Sequence, residues 1–427
     1  MTDDEVVVLI DRCRAEGKAF DELKAVRKAA KSFTTAETAT ALRAVAAAPF
    51  PGASSFMDRA ASLVTTLVVG NPVPELVSVL REIMSALNPP GRAAAIRVAG
   101  QIGTADAFEL MVDSLEAFLP DGGVRIDFSD VLYWLMRKPG HPELLFPRLL
   151  NLHEFPEVRS EVDDVVAAYL RAGLLSARDV VAAPDFLRSM LERFHAGCSS
   201  LATQAREAER AGDLGWWRNA DYQQQRYELI TVIDVVGFVD DAKIQHELEA
   251  LATIADPRVC LAAITGLLRH GHAVPDQAID SLATDPETRA DLYNLLDRLA
   301  TTARFPQKHY TQSAFAESRM YGWLSHGGEL GRPADAIETM AAVELADSPT
   351  NSRALYFVTR FRSDGIDANG EEWLVGVFGP CHPSDPPEKI SGLAFSDFEA
   401  FAAATPAEHV SRIGTEVEAV IRNHPTR

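Results

Sequence analysis

Apolar positions recur at three- and four-residue spacing through most of the chain, and at two-residue spacing only near its end. The clearest helical case is Asp256 to Gly271. Asp256 is suited to accept the free amides of a helix start, and Pro257 at the first helical position has no amide to leave unpaired. Val259, Ala262, Ala263, Gly266 and Leu267 then fall on one face, Arg258 and Arg269 lie off it, and Gly271 ends the run. The resulting stripe is apolar and small enough for a second helix to approach closely.

The same grammar recurs elsewhere. Pro156 precedes a helix carrying Val162, Val165, Val166, Tyr169 and Leu170, which stops at Gly173. Asp285-Pro286 opens one with Leu292, Leu295, Leu296 and Leu299, and Pro89-Pro90 precedes an alanine-rich run that ends at Gly103. Such an Asp-Pro or Pro-x-Val-Arg start, an alanine-rich helix, a glycine and a leucine-spaced helix together resemble the HEAT-like helical repeat family, over about three quarters of the chain. That class repeats about every 40 residues. The resemblance implies an α-α solenoid of degenerate hairpins piled into a curved stack, with an ordinary helical domain as the alternative, and names no function.

In chain order, residues 2 to 50 read as helices, and others follow over Met57–Val69, Glu75–Leu87, Phe128–Met136 and His141–Leu152. A longer helix begins at Pro184 and holds its period through Leu187, Phe194, Cys198, Leu201 and Ala208. Gly212 and Gly215 break it, and Trp216 opens the return helix. Residues 184–238 therefore form an elongated hairpin within a helical domain spanning 1–326.

After Gly327-Gly328 the period changes. Ile337 to Leu345, Leu355 to Arg362 and Trp373 to Phe378 alternate as strands, with Asp364-Gly365 and Asn369-Gly370 at a turn. These runs predict a small α+β unit over 327–427: an antiparallel sheet of about three strands, covered by Phe395–Ala402 and a helix over Pro406–Ile421. The fold class is thus mostly α with a C-terminal α+β cap or domain.

Composition narrows the function classes. Lys+Arg total 41 against 61 Asp+Glu, and a net charge of −20 disfavours phosphate backbones and anionic membranes. The acidic start lacks the basic residues of an export signal, and no apolar run reaches the length of a membrane span. Cys13, Cys198, Cys260 and Cys381 are scattered, which suits a reducing, cytoplasmic compartment.

No phosphate loop, nucleophile elbow or paired-histidine zinc helix occurs; in His246-Glu247-Leu248-Glu249-Ala250, alanine stands where the second ligand belongs. No cofactor or metal is expected. His195 and Cys198 share a helix face as a base and thiol would, though a buried cysteine beside a histidine explains them as well. His270, His272 and Asp276, and the Cys381-His382 pair, read as polar turns more readily than as ligands.

Trp216, Trp217, Arg218, Tyr222, Arg226 and Tyr227 form the candidate partner-binding cluster, since aromatics and arginine dominate interface energetics. Packing of the hairpin base is the structural alternative. Glu329, Arg332 and Asp335 mark a polar junction between the two regions, a stretch resembling bacterial helical-repeat proteins. The leading expectation is a non-catalytic scaffold or adaptor that holds a protein or peptide. Two others stand beside it. One is an immunity or antitoxin-like inhibitor that masks a basic toxin. The other is a HEAT-like DNA glycosylase or DNA-binding protein, with Trp216, Trp217, Tyr222 and Asp221 at a base and Arg218 and Arg226 on phosphate.

Overall fold

A computed structural model describes residues 1–15, 19–50, 58–119, 131–213, 215–326, 333–347, 352–363 and 372–413. The chain forms two compact units, Met1–Glu192 and Arg193–Arg427. The division falls inside a long helix. The boundary expected at 326 instead lies within the second unit, because the sheet packs on the helix that precedes it.

The first unit begins with α1 (Asp3–Arg12), α2 (Ala19–Ala30), α3 (Thr35–Ala47), α4 (Arg59–Gly70) and α5 (Leu76–Ile83). It continues with α6 (Pro89–Ile102), α7 (Ala105–Phe118) and α8 (Tyr133–Arg137). Short side-chain caps start several of them: Thr34, Asp58, Asn88 and Thr104 each accept a backbone amide of the following turn. The helices pack in two layers, α1, α3, α5 and α7 in one and α2, α4, α6 and α8 in the other, the arrangement of stacked hairpins. Alanines and glycines of α6 are buried, and a Cβ added at Gly100 would meet the Met111 sulfur at 3.1 Å and Trp134 Cβ at 3.2 Å. Close approach of these helices thus depends on the small-residue stripe.

Fully buried Leu63, Leu67, Leu76 and Leu80 each contribute about 2 kcal/mol to the core. Across the first layer, ion pairs join successive helices: Arg43 to Glu82 at 2.8 Å and Arg81 to Asp113 at 3.1 Å. These pairs are half-exposed, so they set register more than stability.

The rest of the unit is α9 (Pro142–Leu145), α10 (Arg148–Asn151), α11 (Arg159–Arg171), α12 (Ala177–Val181) and the first part of α13 (Pro184–Ala211). Arg148 at 2.9 Å from Asp113 extends the line of ion pairs to α10. The helix expected over His141–Leu152 is broken into short turns. Pro147 has no amide to donate, and Phe146 before it is extended. Of the helix expected over Phe128–Met136, residues 128–130 lie outside the described residues, and α8 starts at Tyr133.

The second unit holds the remainder of α13, then α14 (Ala220–Val236), α15 (Ala242–Leu251), α16 (Pro257–Arg269), α17 (Asp276–Thr284), α18 (Arg289–Arg298) and α19 (Gln312–His326). α16 starts as its sequence predicts, with Asp256 accepting from the amides of Arg258 and Val259. It lies between α14 and α15 at close range, since a Cβ on Gly266 would sit 2.9 Å from Leu248 Cδ1 and 3.3 Å from the Gly237 Cα.

Four antiparallel strands follow in the order β1 (Ala336–Asp347), β2 (Ser352–Arg362), β3 (Leu374–Cys381), β4 (Leu393–Phe395). Ala336 pairs with Arg362 and Asp347 with Ser352, with a bulge between Thr339 and Ala341. Alternation gives each face its own core. Phe361 and Leu374 pack against Met320, Tyr321 and Leu324 of α19. Val358, Val375 and Val377 pack with Val410 and Ile413 of the helical residues 406–413. The fourth strand adds to the three expected. The turn dipeptides Asp364-Gly365 and Asn369-Gly370, and the last part of the expected terminal helix, lie outside the described residues.

Candidate functional site

Residues of α13 and α14 face each other across Gly197. Phe194 and Leu201 on α13 and Leu229, Val232 and Ile233 on α14 are buried. At Gly197 the two helices come close, a Cβ there lying 2.7 Å from the tip of the Leu229 side chain. Beside this contact, exposed Ala196 and Ser200 are too short to fill the surface. A groove of about 270 Å3 results, with Leu201, Leu229 and Val232 in its wall and Arg193, Gln225 and Glu228 among its polar lining.

At the hairpin's end, Trp216–Arg218 make one 3-10 turn, and Asn219 caps α14 by accepting from the Asp221 amide. The Trp216 and Trp217 rings meet edge to face at 6.1 Å, Trp216 leans on Tyr222 at 4.9 Å, and the Arg218 guanidinium lies over Trp217 at 5.5 Å. All three residues of the turn are half-buried, and Tyr227 on α14 is 53% exposed.

Arg226 is buried in an ion network that Tyr222 reaches with its hydroxyl. Arg226 is 4% exposed and grips Asp256 through Nε at 3.0 Å and Nη2 at 2.8 Å, and Glu287 through both terminal nitrogens at 3.0 Å. The Tyr222 hydroxyl donates to Asp256 Oδ2 at 2.9 Å. Burial alone would pull the Arg226 pKa down, but the two carboxylates hold it above its ordinary value. Arg258 joins the same network at 3.3 Å from Glu287. These residues tie α14 to α16 and to the turn before α18. For Arg226 the expectation of meeting a partner is therefore corrected: a saturated, buried guanidinium offers nothing to a phosphate or a protein, and the glycosylase assignment loses Arg226, whereas Tyr222 also lines the groove between α13 and α14.

The nucleophile candidate is also settled by its surroundings. His195 Nδ1 lies 2.6 Å from Glu247 Oε1, and burial, followed by the Glu247 charge, pushes the Cys198 thiol up to about 12. A thiol held protonated beside a carboxylate is a poor nucleophile. Burial likewise raises Cys260 to about 12 and Cys13 and Cys381 to about 11. His270 faces the Gly237 carbonyl at 3.1 Å, and His382 Nδ1 the Ser384 hydroxyl at 2.7 Å. Among the described residues no group of His, Cys, Asp and Glu is placed to hold a metal ion, and no helix is long and apolar enough to cross a membrane.

Of the junction residues, Glu329 and Arg332 lie outside the described residues. The Asp335 amide donates to the Arg362 carbonyl at 2.9 Å. Asp335 also lines a small cavity with Trp217 and Arg218, so the structure brings together two stretches that the sequence offered separately. Asp285 and Tyr321 complete that lining. Asp285 was legible only as a helix start, and Tyr321 was not singled out by the sequence.

Compared with protein-family models, curated proteins and solved structures, the chain matches none.

Proposed function

We propose that the protein is a non-catalytic binding protein of the HEAT-like helical-repeat type, and that the α13–α14 hairpin is its docking surface. Its occupant is a partner protein presenting an apolar anchor side chain among basic residues. The groove at Ala196 and Gly197 carries this reading: an apolar wall with a polar rim, sized for one anchoring side chain and close to the half-buried Trp216 and Trp217. A charge of −20 supports a basic partner through steering. Four free cysteines, each with a raised pKa, fit a reducing cytoplasm.

The test compares affinity capture by the wild-type chain with capture by Ala196→Trp, which fills the groove from an exposed position. A specific protein retained by the wild type and lost from an equally stable Ala196→Trp supports the reading. Equal retention by both, or none by either, refutes it.

A further inference from the structure

A cavity of about 220 Å3 lies within the second unit, between the Trp216–Arg218 turn, the turn before α18, α19 and the start of β1. Its lining includes Trp217, Arg218, Asp285, Tyr321, Asp335 and Ile337. It is separate from the α13–α14 groove, and the proposed docking does not use it.

Several polar groups of this lining are left over by the protein. Arg218 Nε is buried with no hydrogen bond, and its guanidinium makes no ion pair among the described residues. Tyr321 is 5% exposed, yet among the described residues its hydroxyl makes no hydrogen bond. Asp285 uses Oδ1 to accept the Glu287 amide at 2.8 Å, and its carboxyl makes no other hydrogen bond among the described residues. Of these, Arg218 Nε is the buried atom left without a partner among the described residues, and since buried polar atoms are nearly always partnered, this cavity calls for an explanation.

The charges decide its chemistry. Burial and then Glu287 push the Asp285 carboxyl above its ordinary value, although Arg218 and Arg289 pull it down. Arg218 is thus near enough to be felt by Asp285 but forms no ion pair with it. Glu287 has no capacity to spare, being held by Arg226 and Arg258. A simple anion would satisfy Arg218 and worsen Asp285; a simple cation would do the reverse. A ligand carrying both a carboxylate and an ammonium answers both, with Arg218 taking the carboxylate and Asp285 the ammonium. Trp217, Tyr321 and Ile337 supply apolar wall for a side chain. The volume lies below the range of about 300–1,000 Å3 typical of drug-sized ligands.

We infer that this cavity is a binding site for a small zwitterion of the α-amino-acid class, held by Arg218, Asp285 and Tyr321.

Calorimetric titration of the full chain with each protein amino acid, followed also by tryptophan fluorescence, tests it. At least one amino acid is expected to bind saturably. Its decarboxylated amine and its deaminated acid should each bind at least ~10-fold more weakly, the scale of one charge-assisted contact. Arg218→Met keeps the stem over Trp217, and Asp285→Asn keeps the acceptor for Glu287, so each should lose a similar factor while melting like the wild type. No binding at about 10 mM of any amino acid, a millimolar affinity being the weakest of interest, overturns the proposal. So does equal binding of the half-analogues, a comparison made on the wild-type chain and independent of whether the variants fold.

Discussion

Removing Arg226 should unbalance the most buried ion network of the described residues. Arg226→Met keeps most of the side chain's length but leaves Asp256, fully buried, and Glu287 without the cation between them. Breaking a buried pair from one side costs about 3–5 kcal/mol, because the remaining charge keeps its desolvation penalty. For a unit of this size, each kcal/mol lowers the melting temperature by about 2–4 °C, so a drop of about 6–20 °C is expected. Four of the five tryptophans lie in the second unit, at 216, 217, 323 and 373, so tryptophan fluorescence follows its melting.

Adding Asp256→Asn, which retains the helix cap, should recover part of the loss. An Arg226→Met protein melting within about 1 °C of the wild type at pH 7 would refute the reasoning, being far less than a broken buried pair costs.

Other expectations follow from packing and charge. Gly266→Val drives methyls into Leu248 and the Gly237 backbone, and should cost about 1–3 kcal/mol in a urea melt. Cys198, with its thiol near 12, should alkylate with iodoacetamide about a hundred-fold more slowly than a free cysteine at pH 7, as read by mass spectrometry; the lower thiolate fraction outweighs the higher nucleophilicity. The Glu82 carboxyl is held below its ordinary value by Arg43, and that of Asp113, despite burial, by Arg148 and Arg81. Depressed carboxylates stabilise above their unfolded pKa, so the first unit should lose urea resistance as pH falls below about 4. Arg43→Gln with Arg81→Gln should flatten that loss.

Much of the fold was legible because its signals are local. Asp256-Pro257 announces a capped helix within a few residues, and the period of Val259 to Leu267 names the buried face. The interior of the hairpin site was not legible in the same way. Tyr222 and Arg226 have the sequence character of a binding surface, and their burial is decided by Asp256 and Glu287, which lie 30 and 61 positions after Arg226. The same carboxylate that reads as a helix cap also receives the guanidinium. Leu393–Phe395 escaped notice because three residues hold too little alternation to signal a strand. In His141–Leu152 the apolar period favoured one helix, while Pro147 decided the break.

The most direct test of the binding claim places a photo-crosslinking residue at Ala196 in the groove, with a control at Glu249 on the exposed side of α15. In cells, a discrete protein adduct forming from position 196 and absent from position 249 is the predicted result. No adduct from 196, or the same adducts from both positions, would contradict the account.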